Sequence, residues 1–184
     1  MAILKIARMG HPVLRQVARD VPDPTLPEVL NLVGDMIETL DDIGGAGLAA
    51  PQVHRSVRLV MFQVPPGRGH EEVPLTILCN PVIEPVGDAI EWGWEGCLSV
   101  PGLRGLVPRP ASVRYRGQGL DGAMIDRTVS GFHARVVQHE CDHLDGILYP
   151  QRMPDLTRLV FETEMRHQAP LEVPEPTESE EQDQ

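Results

Sequence analysis

The chain has 184 residues, 41% hydrophobic and only 4% aromatic, with a formal net charge of −11. That length suits one compact domain whose core is built from Leu, Val, Ile, Ala and Met. Six acids and no Lys or Arg lie in residues 171–184, leaving −5 for the rest, and an acidic body argues against nucleic-acid binding by phosphate neutralisation. In chain order, Pro12 ahead of Val13, Leu14, Val17 and Ala18 predicts a short helix. Residues 25–43 space Leu26, Leu30, Val33, Ile37 and Leu40 three or four apart, an amphipathic helix stopped by Gly44-Gly45. Strands are expected at 57–64, 75–83, 112–116 and 123–129, with a charged Pro/Gly loop at 65–74. Helices are expected at 131–146 and 155–168, the latter with Leu156, Leu159, Val160 and Met165 inward. Strands outnumber helices, so the pattern reads as α+β, with mainly antiparallel sheets around the helix at 131–146 and a C-terminal helix. Residues 169–184 read as an acidic, disordered tail after a domain of residues 1–168.

No apolar run approaches the roughly twenty residues of a membrane span, and residues 1–6 resemble neither a signal peptide nor a transit segment. Cys79, Cys97 and Cys141, odd in number and irregular in spacing, argue for a reducing cytoplasm over a disulfide framework.

Chemistry concentrates in Gln138-His139-Glu140-Cys141-Asp142-His143. Two imidazoles four residues apart share one face of a helix and can reach one metal ion, with Glu140 beside them as a proton acceptor for water. Cys141 faces elsewhere and reads as packing, and Asp142 as a supporting partner for an arginine or a solvated acid. An open catalytic site needs a third ligand. One protease pattern places a histidine where this chain has Tyr149, and another uses a downstream glutamate, for which Glu162 and Glu164 are in range. The better candidate is upstream, in Glu95-Gly96-Cys97-Leu98-Ser99-Val100-Pro101, where Cys97 would complete a Cys-His-His set.

Three blocks in order, residues 45–52 (Gly-Ala-Gly-Leu-Ala-Ala-Pro-Gln), 95–101 and 138–146, make the chain resemble the peptide deformylases over roughly residues 3–168. The resemblance implies a metal held by Cys97, His139 and His143, with Glu140 as general base and acid. It implies that a metal-held water attacks the formyl carbon of N-formylmethionyl nascent polypeptides, giving formate. Gln52 and the Leu98 backbone N–H would stabilise the oxyanion, and Gly47, Gly96, Phe132 and Arg135 would bind substrate. Ferrous iron is the implied ion, with zinc, nickel or cobalt as substitutes. A monomer that meets the ribosome transiently, without contact to DNA or membrane, is also implied. Ala46 replaces the isoleucine of many bacterial members and Arg135 an apolar residue, while the pair Phe132 and Arg135, with His133 and Ala134, is similar to organellar enzymes and some bacterial second copies. These positions bear on the methionine pocket. Competing readings are a zinc endopeptidase using Glu162 or Glu164, and a degenerate member that binds nascent chains without turnover.

Overall fold

The computed structural model describes residues 2–64 and 72–168. The expected tail and residues 65–71 of the expected loop lie outside that range. Among the described residues two α-helices, α1 (Pro27–Ile43) and α2 (Gly131–Leu144), accompany eight strands. The strands are β1 (Gly47–Ala49), β2 (Leu59–Val64), β3 (Val73–Pro85), β4 (Ile90–Cys97), β5 (Val100–Pro110), β6 (Ser112–Gln118), β7 (Met124–Ser130) and β8 (Leu159–Phe161). One antiparallel sheet has the order β1-β2-β3-β6-β7 and the other β4-β5-β8.

The five-stranded sheet is covered on both faces. Along β2, Val60, Phe62 and Val64 pack with Val137, Cys141 and Leu144 of α2, whereas Leu59 and Met61 pack with Val33, Met36 and Leu40 of α1. Alternate residues of a strand face opposite ways, so a strand buried on both faces reads as an unbroken apolar run. The three-stranded sheet also contacts α2, through β5, and Val100 and Val107 of β5 pack with Leu148, Tyr149 and Met153 in a separate cluster. Helix α2 is therefore central and buried from Ala134 to Leu144, polar side chains included.

The α1 helix begins at Pro27 and ends on Gly44, whose φ of 71° closes the last turn through its N–H to the Leu40 carbonyl. Its inward stripe is Val29, Val33, Met36 and Leu40, rotated from the expected one, and Leu30 is exposed. Both stripes share Val33 and Leu40, so periodicity alone does not choose between them. Residues 12–15 form a 3-10 turn.

The expected helix over 155–168 is divided. A 3-10 turn at Leu156–Arg158 leads into β8, which pairs with Leu103, Arg104 and Gly105 of β5, and a 3-10 helix at Glu162–His167 follows. Pairing to an open strand edge outweighs a helical pattern this short.

Candidate active site

The three sequence blocks converge at α2. Block one leaves α1, forms β1 and turns through a 3-10 helix at Ala50–Val53 that carries Gln52. Block two is the β4–β5 hairpin, in which Cys97 pairs with Val100 across the turn residues Leu98 and Ser99. Block three is the C-terminal half of α2.

One ligand atom from each of Cys97, His139 and His143 lies within 4.8 Å of the others, the one such group among the described residues. Cys97 Sγ is 3.4 Å from His143 Nε2. His139 Nδ1 meets Glu95 Oε2 at 2.8 Å, which leaves its other nitrogen for the cluster. His143 Nδ1, by contrast, is buried without a hydrogen-bond partner among the described residues, so only the His139 ring is held from behind by a protein acceptor. A soft thiolate with two imidazoles suits a divalent first-row ion, and the residues fit one. Neither Glu162 nor Glu164 joins them. Glu162 pairs with Arg104 at 2.6 Å, and Glu164 lies 3.7 Å from His167.

Glu140 is 5% exposed, and its Oε2 is buried with no protein partner among the described residues. Burial pushes its carboxyl up to about 7; Coulombic attraction from His139 opposes this, and the charge of Glu95 adds to it. The neighbouring Gly47, expected to bind substrate, also faces Glu140. A Cβ there would stand 2.7 Å from both Cγ and Cδ of Glu140, so the absent side chain makes room for the carboxylate. Ala49 and Ala50 are fully buried and pack into the core.

The Gln52 amide is oriented. Its Oε1 accepts the Ala49 N–H at 2.8 Å, which turns Nε2 toward Cys97 Sγ at 3.5 Å and Ser99 Oγ at 3.3 Å. Leu98 follows Cys97 in the hairpin turn and packs against the α1 cluster.

Behind the histidines lies a charge network that spacing could not reveal. Arg109 donates to Glu95 at 2.6 and 2.9 Å and to Asp142 Oδ2 at 2.8 Å, while Arg152 reaches Asp142 Oδ1 at 2.7 Å. Asp142 thus has the arginine partners anticipated for it. Glu95 lies in the second block, where spacing gives it no role, and its contacts across β4 show that its side chain faces α2. Burial opposes its ionised form, but Arg109 and His139 outweigh that and hold its carboxyl well below the usual range. Burial likewise opposes a charged His139, yet its bonds to Cys97 and Glu95 raise its basicity, whereas burial and the neighbouring His139 lower that of His143.

An open cleft of about 470 Å³ reaches this cluster, lined among others by Gly47, Gln52, Gly96, Leu98, Phe132 and Glu140. Gly96 is covered by Arg104, whose guanidinium carbon would be 2.8 Å from a Cβ there. Arg135 also lines the cleft, but its guanidinium bonds Glu95, Val107 and Glu91.

A thiol and two imidazoles beside a buried carboxylate, at the end of a peptide-sized cleft, mark the class of metal-dependent amide hydrolases. The comparisons name the family within that class. The model of the family described as polypeptide deformylase matches residues 3–159. Peptide deformylase 1 of Nitrosomonas europaea is 53% identical over 162 residues, 86% of this chain and 92% of its own. Peptide deformylase 1 of Bordetella pertussis is 54% identical over 159 residues, 85% and 90% of the two chains. The Met-Ala-Ser-bound class I type b peptide deformylase of Acinetobacter baumannii superposes with a TM-score of 0.78 at 36% identity, covering 82% of this chain and 98% of that one. The enzyme of Thermotoga maritima gives 0.76 at 33%, covering 83% and 99%. This chain belongs to the polypeptide deformylase family.

Proposed function

We propose that the chain hydrolyses the formyl group from N-formylmethionyl nascent polypeptides, releasing formate and a free α-amine. The observation that carries the reading is the meeting of Cys97, His139 and His143 with Glu140 and an oriented Gln52 amide at one end of the cleft, in a member of this family.

A divalent ion held by Cys97, His139 and His143 would supply Lewis-acid activation of a water molecule. Glu140 accepts the proton of that water and returns it to the departing amine, work worth roughly 10²- to 10⁴-fold. Burial of the Glu140 carboxyl raises its affinity for a proton, which favours its accepting one. Gln52 Nε2 and the Leu98 N–H donate to the oxygen that gains charge as the formyl carbon becomes tetrahedral. The C–N bond then breaks. The main chain at Gly47 and Gly96 and the ring of Phe132 line the peptide's path, with Arg135 in the wall behind them.

The proposal extends to ferrous iron as the resident ion, with zinc, nickel or cobalt as substitutes, and to a cytoplasmic monomer that meets the ribosome transiently. Support for iron is the family resemblance, since the donor set alone accommodates several ions. No helix among the described residues is long and apolar enough to cross a membrane. The catalytic domain is residues 1–168, so removing residues 171–184 leaves turnover and thermal stability unchanged. A large loss of either would overturn that boundary.

The test is formate release from formyl-Met-Ala-Ser by anaerobically purified protein, with metal analysis of the same sample. About one equivalent of metal and no formate would overturn the reading. A second, non-enzyme reading has no specific observation in its favour.

A further inference from the structure

We propose that Arg135, seated in a slot left by Gly93, is a positioning residue that sets the spacing between Cys97 and the two histidines. The inference rests on the proposed metal site and is independent of the substrate.

Arg135 lies one helical turn before His139 and on the same face of α2, and it is 7% exposed. Its Nη1 donates to Glu95 Oε1 at 2.8 Å and to the Val107 carbonyl at 3.0 Å. Its Nη2 donates to the Glu91 carbonyl at 2.7 Å. Glu91 and Glu95 belong to β4, Val107 to β5, and Cys97 ends β4. One guanidinium therefore joins the helix that carries both histidines to both strands of the hairpin that carries the cysteine.

Arg109 makes a reciprocal link from β5 to Asp142 on α2. Seven residues separate positions 135 and 142, about 10 Å along a helix axis at 1.5 Å per residue. His139 lies between these two points. Gln138 also bonds the Pro110 carbonyl of β5 at 3.0 Å, so the helix is tied to the hairpin at several points. The two arginine links, one on either side of His139, are the outermost of them and hold both angle and distance. Both converge on Glu95, whose other oxygen meets the His139 ring.

Gly93 supplies the independent observation. Its backbone lies outside the left-handed region, so the conformation does not demand glycine. A Cβ there would instead stand 2.7 Å from both Cζ and Nε of Arg135. The missing side chain is the slot for the guanidinium, and the two residues form one device.

The experiment compares Arg135→Ile, Gly93→Ala and the double variant, each loaded with Co²⁺. It reads the Co²⁺ dissociation constant, the thiolate-to-cobalt absorption band, and kcat and KM for formyl-Met-Ala-Ser. Either single variant should weaken Co²⁺ binding at least tenfold, shift the band and lower kcat, with KM within twofold. Adding Gly93→Ala to Arg135→Ile should cost nothing more, because no guanidinium remains to displace. A rise in KM with unchanged cobalt affinity and band would return Arg135 to the substrate pocket and overturn the proposal, as would additive effects of the two changes. If Arg135→Ile does not fold, Gly93→Ala alone decides by the same readings. Cobalt binding is read without substrate, so a wild type that released no formate would refute the proposed function and leave this result standing.

Discussion

Replacing Gly47 with alanine tests whether the glycine serves the carboxylate or only the substrate. The new Cβ would lie 2.7 Å from the Cγ and Cδ atoms of Glu140, where about 3.5–4.0 Å is the ordinary carbon–carbon contact. Glu140 must therefore withdraw by roughly 1 Å. The strand backbone at Gly47 tolerates alanine, and the atoms that move are the end of one side chain, so the stability cost should lie near the bottom of the overpacking range of about 1–3 kcal/mol. Catalysis should suffer far more. A misplacement of about 1 Å can cost about 10²-fold, and full loss of a general base about 10²- to 10⁴-fold. Because the main chain of residue 47, proposed to line the peptide's path, is retained, KM should stay within a few-fold. The assay is steady-state formate release from formyl-Met-Ala-Ser, with metal content and Tm measured on the same preparation. A kcat within threefold of wild type at full metal content, or a loss confined to KM, would refute the argument.

Glu140→Gln should keep its metal and lose at least about two orders of magnitude in kcat, since an amide cannot accept the proton; near-wild-type turnover removes Glu140 from the mechanism. The same variant in metal-free form tests the buried carboxyl. Its folded pKa, raised from 4.5 to about 7, contributes stability that is complete below about 4.5 and lost as pH rises through 7. Relative to wild type, metal-free Glu140→Gln should thus gain on the order of 3 kcal/mol at pH 8 and little at pH 5, and equal shifts in Tm at both would contradict the burial argument. Formyl-Met peptides should exceed acetyl-Met peptides at least a hundredfold in kcat/KM, because one added methyl should overpack the end of the cleft beside Gln52, Leu98 and Glu140 and displace the carbonyl from its donors. Comparable acetyl turnover, or cleavage at an internal Met-Xaa bond seen by mass spectrometry, would favour a peptidase.

What was legible in the sequence was whatever has a fixed period or fixed spacing. Helix α2 follows from two histidines at i and i+4, α1 from its apolar repeat and the terminal glycine, and β2, β3, β6 and β7 from their apolar and β-branched runs. The β4–β5 hairpin was not anticipated, although it carries Cys97. Pro101, Pro108 and Pro110 argue against a strand, because proline has no N–H to donate. The structure resolves this by position. Only residues 103–105 of β5 pair with β8, Gly105 alone being paired to β4 as well, and the prolines lie outside that stretch, where the outer edge has no neighbour in that sheet.

For the candidate site, atoms that would touch the ion are recognisable because metal coordination demands particular residue types. The residues that hold those atoms in place carry no such demand. Glu95, Arg109 and Arg135 are 14, 26 and 40 residues apart by pairs in the chain, and they meet only because antiparallel β4 and β5 cross one face of α2. A buried carboxylate shared by two arginines and an imidazole is costly to desolvate and yields little stability by itself. Its effect is to fix one arrangement of helix and hairpin, and that arrangement separates a Cys-His-His cluster from three side chains that merely lie near one another. Gly47 and Gly93 belong to the same logic. Each is a glycine in a strand whose backbone does not require one, and each leaves room for a charged side chain of α2. The α2 helix can bury Glu140 and Arg135 within two turns because the facing strands omit a Cβ opposite each of them.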